Sequence, residues 1–321
     1  MTPGAPHGRS VTVRVPAKIN LELTVGPRRA DGYHDLATVF HAVDLYDDLT
    51  VEDADDWQVQ GSGDFGALLP QGRDNLAIRA MQDLARAAGV DRPARVSIHK
   101  QIPVAGGMAG GSADAAAALL AADALWGLAT PRHVLVDLAA ALGSDVPFAL
   151  TGGTAVGSGR GERLVPVLTR ARSFSWVLAL SQSGLSTPAV YAECDRLRGD
   201  APVQDPSPSA PMMAALRSGD AAALGRALTN DLQPAALVLR PSLREALDLG
   251  AAHGALGAVV SGSGPTIAFL VEGPETAARL STALRRSGRV WAVRQSNGPV
   301  PGAHVLSSSP QRREHPAGRR S

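Results

Sequence analysis

The sequence of 321 residues has little cysteine, little lysine, few aromatic residues and no long hydrophobic run. Cys194 is its only cysteine, so no disulfide can form within the chain, and a reducing compartment is indicated. No apolar run reaches the roughly 18 residues that a membrane span requires, and the N-terminus lacks the apolar segment of a secretion signal. A formal net charge of +1 gives no reason to expect a nucleic acid or a membrane surface as partner. We therefore expect a soluble, cytoplasmic protein.

The shortage of lysine is pronounced in a chain that is rich in arginine. Of its 31 basic residues, only Lys18 and Lys100 are lysines. One interpretation is that these positions need a compact ammonium where a planar guanidinium cannot take its place. Chance survival of two lysines is the other interpretation, and composition alone leaves both open.

Strand-like and helix-like patterns alternate between two polar tails. Residues 1–10 and 307–321 are predicted to be disordered tails, because they offer little apolar surface to anchor them. Alternating hydrophobicity predicts strands over residues 11–15, 19–25, 95–99, 176–180, 258–260, 266–271 and 290–294. Helical periodicity predicts helices over residues 75–88, 112–126, 131–142, 188–196, 220–228, 242–253 and 274–286, with a loop over 201–211. This mixture predicts an α+β protein of two domains, residues 11–160 and 161–306.

A glycine-rich loop connects a predicted strand to the most strongly predicted helix of the chain. Its amide N–H groups and the positive end of the helix dipole form a site for an anion, and polyphosphate is the natural ligand. A flexible turn is the plain alternative, but turns rarely need so many glycines. Ser112 can cap the helix or contact a phosphate or its metal. The residues predicted to bind this polyphosphate are Pro103, Val104, Ala105, Gly106, Gly107, Met108, Ala109, Gly110, Gly111, Ser112 and Ala113.

Asp145 lies in a turn bracketed by glycine and proline, with apolar neighbours. A rigidly held, partly desolvated aspartate suits a general base, although a helix-capping or turn aspartate fits the same pattern. Phosphoryl transfer needs phosphates held, charge neutralised and an acceptor hydroxyl relieved of its proton. The glycine loop, Lys18 and Asp145 together could supply these three functions.

Four segments of the sequence occur in the order and spacing of one known family. They are residues 16–21 (Pro-Ala-Lys-Ile-Asn-Leu), 31–34 (Asp-Gly-Tyr-His), the glycine loop, and 143–147 (Gly-Ser-Asp-Val-Pro). With them, the sequence resembles the diphosphocytidyl-methylerythritol kinases, a branch of the GHMP kinases, over roughly residues 10–300. The resemblance implies a two-domain GHMP kinase fold. Its N-terminal ATP-binding domain would be ribosomal-protein-S5-like, and its C-terminal domain would be a ferredoxin-like α/β domain that binds substrate.

The resemblance also implies roles for particular residues. Asp145 would activate the 2-hydroxyl of diphosphocytidyl-methylerythritol, Lys18 would stabilise negative charge, and Asn20 would help to align the pair. ATP would be the phosphoryl donor, with Mg²⁺ bridging its phosphates. For the cytosine base, the resemblance implies a hydrogen bond from His34 and a sandwich between two tyrosines, Tyr33 and Tyr191.

Further positions match the family less decisively. Phe40 backs the expected substrate pocket or packs in the core, and Thr187 resembles a threonine near the substrate. Residues 261–266 resemble the third family motif, so they form either a second anion-binding loop or a plain tight turn. Asp114 stands where the family often has asparagine, and because it would repel phosphate we expect its side chain to point away from the nucleotide. Lys100 matches no catalytic position, and contact with nucleotide or exposure to solvent are both open.

Three other functions are compatible with parts of the sequence. Another GHMP kinase, such as a homoserine or mevalonate kinase, would share the glycine loop but would not need the Tyr33-His34 pair. A non-catalytic nucleotide-binding module would not need Lys18, Asn20 and Asp145 together. A dinucleotide oxidoreductase would rest on a Gly-x-Gly-x-x-Gly match at 61–66, where Pro70 leaves no room for the required helix. The expected partner is a small molecule, and we expect a monomer or a homodimer.

Overall fold

Two β-sheets with flanking helices make up the described part of the chain, residues 9–169 and 173–308, in a computed structural model. The first sheet has eight strands, which are β1 (Ser10–Arg28), β2 (His34–Asp53), β3 (Gln58–Ser62), β4 (Ala94–His99), β5 (Thr154–Gly159), β6 (Arg163–Pro166), β8 (Thr229–Asn230) and β12 (His304–Ser308). The second has four, which are β7 (Phe174–Leu180), β9 (Gly257–Val260), β10 (Ile267–Val271) and β11 (Ala292–Gly298). The predicted α+β class is therefore confirmed.

Ten α-helices accompany these strands within the same described residues. They are α1 (Leu76–Ala88), α2 (Gly110–Trp126), α3 (Arg132–Leu142), α4 (Val146–Thr151), α5 (Thr187–Arg198), α6 (Ala210–Ser218), α7 (Ala221–Ala227), α8 (Gln233–Leu239), α9 (Ser242–Ala252) and α10 (Pro274–Ser287). The helices predicted from periodicity are all present, with ends that differ by one or two residues. Helices α4, α6 and α8 were not predicted, because each is short and its apolar residues do not establish a period.

Helix α2 lies at the centre of the first domain. It is rich in alanine, and twelve of its residues are buried against α1, β1 and β2. Small side chains let neighbouring elements pack against the helix on several sides. A helix buried in this way needs no polar face, and α2 has none. Its N-terminus is thereby held in one position relative to the sheet.

Strand β1 is one strand rather than the two that were predicted. It pairs with β2 along nearly its whole length, and the register shifts between Pro16 and Ala17. A proline has no N–H to donate to the ladder, so it is tolerated at such an irregularity. The local pattern showed the interruption, but only the pairing with β2 shows that the strand continues across it.

The ends of the chain differ from the prediction where they are described. Strand β1 begins at Ser10, and β12 extends to Ser308 by pairing with β1, so residues 307 and 308 are not part of a disordered tail. The rest of both predicted tails, residues 1–8 and 309–321, lies outside the described residues. Strands β6, β8 and β12 join the first sheet although they follow residue 160. A division of the chain at residue 160 stays a proposal, and it would need these strands added to the first domain.

His41 is a buried histidine where the two sheets meet. Its Nδ1 lies 2.9 Å from Thr154 Oγ1 within the first sheet, and its ring packs against Phe174 and Trp176 of the second. Burial lowers the pKa of His41 from 6.5 to about 4, and the backbone of Gly298 only partly opposes this shift. The folded protein therefore holds this histidine in its neutral form at neutral pH.

We expect acid to weaken folding through His41. The folded pKa lies below the unfolded value, so the unfolded state binds the proton more strongly as the pH falls from 6.5 towards about 4. Between pH 7.5 and pH 5 this linkage should cost about 2 kcal/mol of unfolding free energy. Urea unfolding of the wild type and of His41→Gln, which does not titrate, measures the difference. Equal loss of stability in both proteins over this range would contradict the assignment.

Candidate active site

A cleft of about 800 Å³ opens beside the N-terminus of α2. Strands β1 and β2, helix α5, the turn before α4 and the loop between β9 and β10 form its walls. The predicted site residues that line it are Lys18, Asn20, Tyr33, His34, Phe40, Ala105, Gly106, Gly107, Ala109, Gly110, Gly111, Ser112, Asp145, Thr187 and Tyr191. The other four predicted residues, Pro103, Val104, Met108 and Ala113, do not line the cleft. Met108 and Ala113 lie in the hydrophobic core, and Val104 packs against it.

The glycine loop enters α2 through backbone conformations of the left-handed region. Ala105, Gly107 and Ala109 have φ values of 52°, 78° and 58°. The residue before the helix is Ala109, and no side chain caps this end. Ser112 is therefore not the cap, and its hydroxyl is available to a ligand in the cleft. The uncapped N–H groups and the helix dipole together favour an anion at this place.

Lys18 lies at the floor of the cleft and contacts three groups. Its Nζ donates to Asn20 Oδ1 over 2.7 Å and to the Gly107 carbonyl over 3.1 Å, and it lies 3.7 Å from Asp145 Oδ2. Burial lowers the pKa of Lys18, and the nearby Asp145 carboxylate opposes this shift. The ammonium thus joins the glycine loop to the Asp145 carboxylate.

Asp145 directly precedes α4, but its side chain makes no capping hydrogen bond. Its carboxylate is about one-third exposed to the cleft and has Lys18 as its ion-pair partner. The helix-capping interpretation of this residue is therefore excluded. A carboxylate that is free of structural hydrogen bonds and faces a cleft can accept a proton from a bound hydroxyl group.

The orientation of Asn20 is set by a chain of hydrogen bonds. Its Nδ2 donates to Thr38 Oγ1 over 2.7 Å, and the Thr38 hydroxyl donates to the Glu22 carbonyl over 2.8 Å. The amide oxygen of Asn20 is consequently turned towards Lys18. Asn20 contacts Lys18 and thereby helps to fix the position of its ammonium.

The far end of the cleft is aromatic. The His34 and Tyr191 rings stack with centroids 5.3 Å apart, and His34 Nε2 lies 2.9 Å from Asp195 Oδ1. Tyr33 is 56% exposed, and the Arg160 guanidinium lies 5.3 Å from its ring centroid. Since Asp195 engages Nε2, only Nδ1 of His34 remains for a ligand. Tyr33 and Tyr191, the two tyrosines expected to sandwich a base, line the same cleft. One ring contact of Tyr191 is already made by His34.

Phe40 satisfies both interpretations of its role. It is buried and stacks on Phe148 with centroids 4.9 Å apart, and the Lys18 Nζ lies 5.7 Å from its ring centroid. It therefore packs in the core and also backs the cleft. Thr187 lies at the cleft wall, with its Oγ1 2.9 Å from Ser263 Oγ.

The loop of residues 261–266 supports the glycine loop from the second domain. The Ser261 hydroxyl donates to the Gly107 carbonyl over 2.9 Å, and the Thr266 N–H donates to the Gly106 carbonyl over 3.2 Å. The Ser261 and Gly264 N–H groups are used inside the loop itself. Those two amides are not free for a ligand, which favours the tight-turn interpretation, with support of the neighbouring loop as its observed role.

The sequence matches two protein-family models. One is described as the GHMP kinases N terminal domain, over residues 75–153, and the other as GHMP kinases C terminal, over residues 212–290. The 4-diphosphocytidyl-2-C-methyl-D-erythritol kinase of Thermobifida fusca is 56% identical over 305 residues, which cover 92% of this chain and 98% of that protein. The enzyme of the same name from Streptomyces avermitilis is 53% identical, over 92% of this chain and 100% of its own length. This chain belongs to that kinase family.

Solved structures agree with this assignment. A crystal structure of a 4-(cytidine 5′-diphospho)-2C-methyl-D-erythritol kinase is 35% identical, with a TM-score of 0.72 over 89% of this chain and 98% of that one. The homoserine kinase of Cytophaga hutchinsonii has a TM-score of 0.69 over 95% of this chain and all of its own, at 18% identity. That second likeness shows the shared fold alone. As a GHMP kinase, the protein is an ATP-dependent small-molecule kinase.

Neither of the two possibilities left open for Lys100, contact with nucleotide and exposure to solvent, is observed. Lys100 is fully buried, and it pairs with Asp47 and with Asp114 Oδ2, the latter over 2.8 Å. It neither faces solvent nor lines the cleft. Asp114 points into this buried cluster and away from the cleft, as predicted.

Several cleft residues had no usable sequence signal. Thr38 and Ser144 are ordinary polar residues, and nothing in their context marks them. Arg160 and Asp195 did carry a signal in the sequence. Arg160 lies between two glycines, and Asp195 follows Tyr191 by four residues, which places both side chains on the same face of a helix. The motif at 61–66 forms the end of β3 and a short 3₁₀ turn, which agrees with its rejection as a dinucleotide site.

Two further findings concern the described residues only. None of their helices combines the length and the apolar character needed to cross a bilayer. They also contain no group of three or more His, Cys, Asp or Glu side chains arranged to hold a metal ion.

Proposed function

We propose that this kinase transfers the γ-phosphoryl group of ATP to the 2-hydroxyl of 4-diphosphocytidyl-2-C-methyl-D-erythritol, a step of the non-mevalonate route to isoprenoid precursors. The observation that carries the proposal is the contact of Lys18 with both the glycine loop and Asp145 inside one cleft. The family membership supports the same substrate. We expect the enzyme to act in the cytoplasm, as a monomer or a homodimer.

Asp145 is the proposed general base. Its carboxylate is exposed to the cleft on the side of Lys18. An acceptor hydroxyl bound in the cleft beside these two side chains would lie within hydrogen-bond reach of the carboxylate. Accepting the proton as the oxygen attacks phosphorus would raise the nucleophilicity of that oxygen. Positioned general bases of this kind contribute about 10²- to 10⁴-fold to a rate.

Lys18 is proposed to neutralise part of the charge of the Asp145 carboxylate and to stabilise the charge that develops on the transferred group. The ammonium is nearly buried, and charges interact more strongly where water is excluded. Asn20 Oδ1 and the Gly107 carbonyl each accept a hydrogen bond from the Lys18 ammonium, so the position of the ammonium is defined before substrate binds. Such preorganisation requires little rearrangement at the moment of reaction.

The phosphates of ATP are proposed to lie at the N-terminus of α2. Amide N–H groups of the loop and of the first helical turn would donate to them. Mg²⁺ takes oxygen ligands, keeps several waters and is commonly held by one or two protein groups together with substrate phosphates. The Ser112 hydroxyl borders the same cleft and would supply one such oxygen ligand. When bound, the ion would neutralise part of the phosphate charge.

The aromatic end of the cleft is proposed to hold the cytosine base. Tyr33 and Tyr191 would lie on opposite faces of the base, and His34 would hydrogen-bond its edge. Stacking on aromatic side chains stabilises a bound base by about 1–3 kcal/mol. Asp195 and Tyr191 hold the His34 ring in place, which leaves its free nitrogen in a defined direction.

An ATP-consumption assay with three acceptors tests the proposal. We expect turnover with 4-diphosphocytidyl-2-C-methyl-D-erythritol and less than about 1% of that rate with homoserine or mevalonate, because a site built to hydrogen-bond one ligand discriminates against ligands that leave its polar groups unpaired. Cytidine monophosphate should compete with the acceptor and not with ATP. Turnover with homoserine or mevalonate alone would refute the substrate and leave the kinase class intact.

A further inference from the structure

The second lysine of the chain lies directly beneath the glycine loop. Lys100 follows β4, and its side chain passes under the first turn of α2 with no exposure to solvent. Its Nζ donates to the Gly110 carbonyl over 2.9 Å, while Lys18 donates to the Gly107 carbonyl from the cleft side over 3.1 Å. The two lysines therefore hold two carbonyl groups of the same loop from different sides.

Two buried carboxylates surround Lys100. Asp47 of β2 accepts from Lys100 and also from the Gln101 and Ile102 N–H groups, over 2.6 and 2.9 Å. Asp114 of α2 contributes Oδ2 at 2.8 Å, while its Oδ1 has no hydrogen-bond partner. The cluster thus connects the segment after β4 and the first turns of α2 to β2, which is distant from both in sequence.

The charges in the cluster are unequal, with two acids and one base. Burial by itself lowers the pKa of Lys100, but Asp114 and Asp47 together raise it above its ordinary value. Burial raises the pKa of Asp114 well above its usual range, and the neighbouring Asp47 adds to this effect, although Lys100 opposes it. Lys100 therefore keeps its charge, whereas burial disfavours the charged form of Asp114.

The contact with Gly110 has a consequence for the cleft. A trans peptide is planar, so its N–H points opposite to its C=O. Because Lys100 holds the Gly110 carbonyl beneath the loop, the next N–H, that of Gly111, is directed away from Lys100. Gly110 and Gly111 both line the cleft in which phosphate is proposed to bind.

We propose that Lys100 is a positioning residue for ATP, which orients the first peptide of α2 and so presents the Gly111 N–H to the phosphates. This inference rests on the proposed function of the loop as the phosphate site. It also explains why a lysine stands here in an arginine-rich chain. The fully buried space offers three acceptors around one compact ammonium, and a planar guanidinium does not match that arrangement.

The test is ATP affinity in Lys100→Met, measured by calorimetry with a non-hydrolysable ATP analogue and Mg²⁺, together with steady-state kinetics. We expect at least a 10-fold weaker binding of the analogue and a similar rise in KM for ATP, with KM for the cytidine substrate changed less than 2-fold. Asp114→Asn should change ATP affinity less than 3-fold, because the asparagine amide oxygen can still accept from Lys100 and the contact of Lys100 with the Gly110 carbonyl is kept. If the methionine variant does not fold, Lys100→Gln should weaken binding at least 3-fold.

A control separates positioning from general loss of stability. Leu284 is fully buried in the core beside the second sheet and does not line the cleft, so Leu284→Ala lowers stability at a distance. Unchanged ATP affinity in the Lys100 variants, or an equal loss in Leu284→Ala, would overturn the proposal. Because analogue binding needs no acceptor, failure of the proposed substrate would leave this result unaffected, and absence of analogue binding in the wild type would refute the phosphate site itself.

Discussion

Asp145→Asn is expected to lower kcat by about 10²- to 10⁴-fold, the range that a positioned general base contributes. The amide has the shape of the carboxylate but cannot accept the proton of the acceptor hydroxyl. Its effect on folding should be small, because Asp145 makes no capping hydrogen bond and its contact with Lys18 spans 3.7 Å at a partly exposed position. Single-turnover phosphoryl transfer, followed by rapid quench, measures the chemical step directly.

Binding of ATP distinguishes loss of chemistry from loss of the site in this variant. We expect the affinity for a non-hydrolysable ATP analogue to change less than about 3-fold, since loop amides and not Asp145 hold most of the phosphate contacts. Asp83→Asn is a matched control, because Asp83 is a partly exposed carboxylate on α1 that pairs with Arg86 outside the cleft. Wild-type turnover in Asp145→Asn would exclude this carboxylate as the base.

Gly107→Ala is expected to damage both folding and catalysis. Gly107 has a φ of 78°, and a Cβ at this position would collide with the carbonyl oxygen of Ser261 in the supporting loop. The collision cannot be relieved by a side-chain rotation, because the opposing atom belongs to the backbone. Separation of the two loops would also displace the Gly107 carbonyl, which accepts a hydrogen bond from Lys18. We therefore expect a loss of about 100-fold in kcat/KM, the scale of a misplaced catalytic group.

Gly127→Ala is the matched control for this substitution. Gly127 ends α2 with a φ of 67°, and no atom lies within 4 Å of the position that a Cβ would take. It therefore measures the conformational cost of a left-handed alanine alone, about 1–2 kcal/mol. Gly107→Ala should exceed it by about 1–3 kcal/mol in urea unfolding, the usual cost of overpacking. Equal losses in the two variants would show that the loops do not meet as described.

The local parts of the active site could be predicted because their signals are short in range. Four glycines before an alanine-rich run indicate both the loop and the helix, since backbone freedom and helix propensity act within a few residues. The turn that carries Asp145 was likewise evident from its flanking glycine and proline. The resemblance to a known family then supplied roles for Lys18, Asn20 and the aromatic residues, which spacing alone could not assign.

The position of Lys100 illustrates what these signals leave out. Its partner Asp47 is 53 residues away in sequence, and no local pattern connects the two. Whether a lysine is exposed or buried depends on whether folding supplies acceptors for its charge. The same reasoning applies to the continuity of β1, where pairing with β2 overrides the interruption at Pro16.

The amino-acid order by itself determined most of the helices, the anion-binding helix start and the kinase family, because periodicity, glycine content and motif order are properties of neighbouring residues. Tertiary structure alone decided which groups share the cleft and which lie beneath it. Lys18 meets Asp145 across 127 positions, and the supporting loop reaches the glycine loop from the second sheet. Such contacts follow from the packing of whole sheets and helices, and that packing minimises exposed apolar area over the entire chain rather than over any single segment.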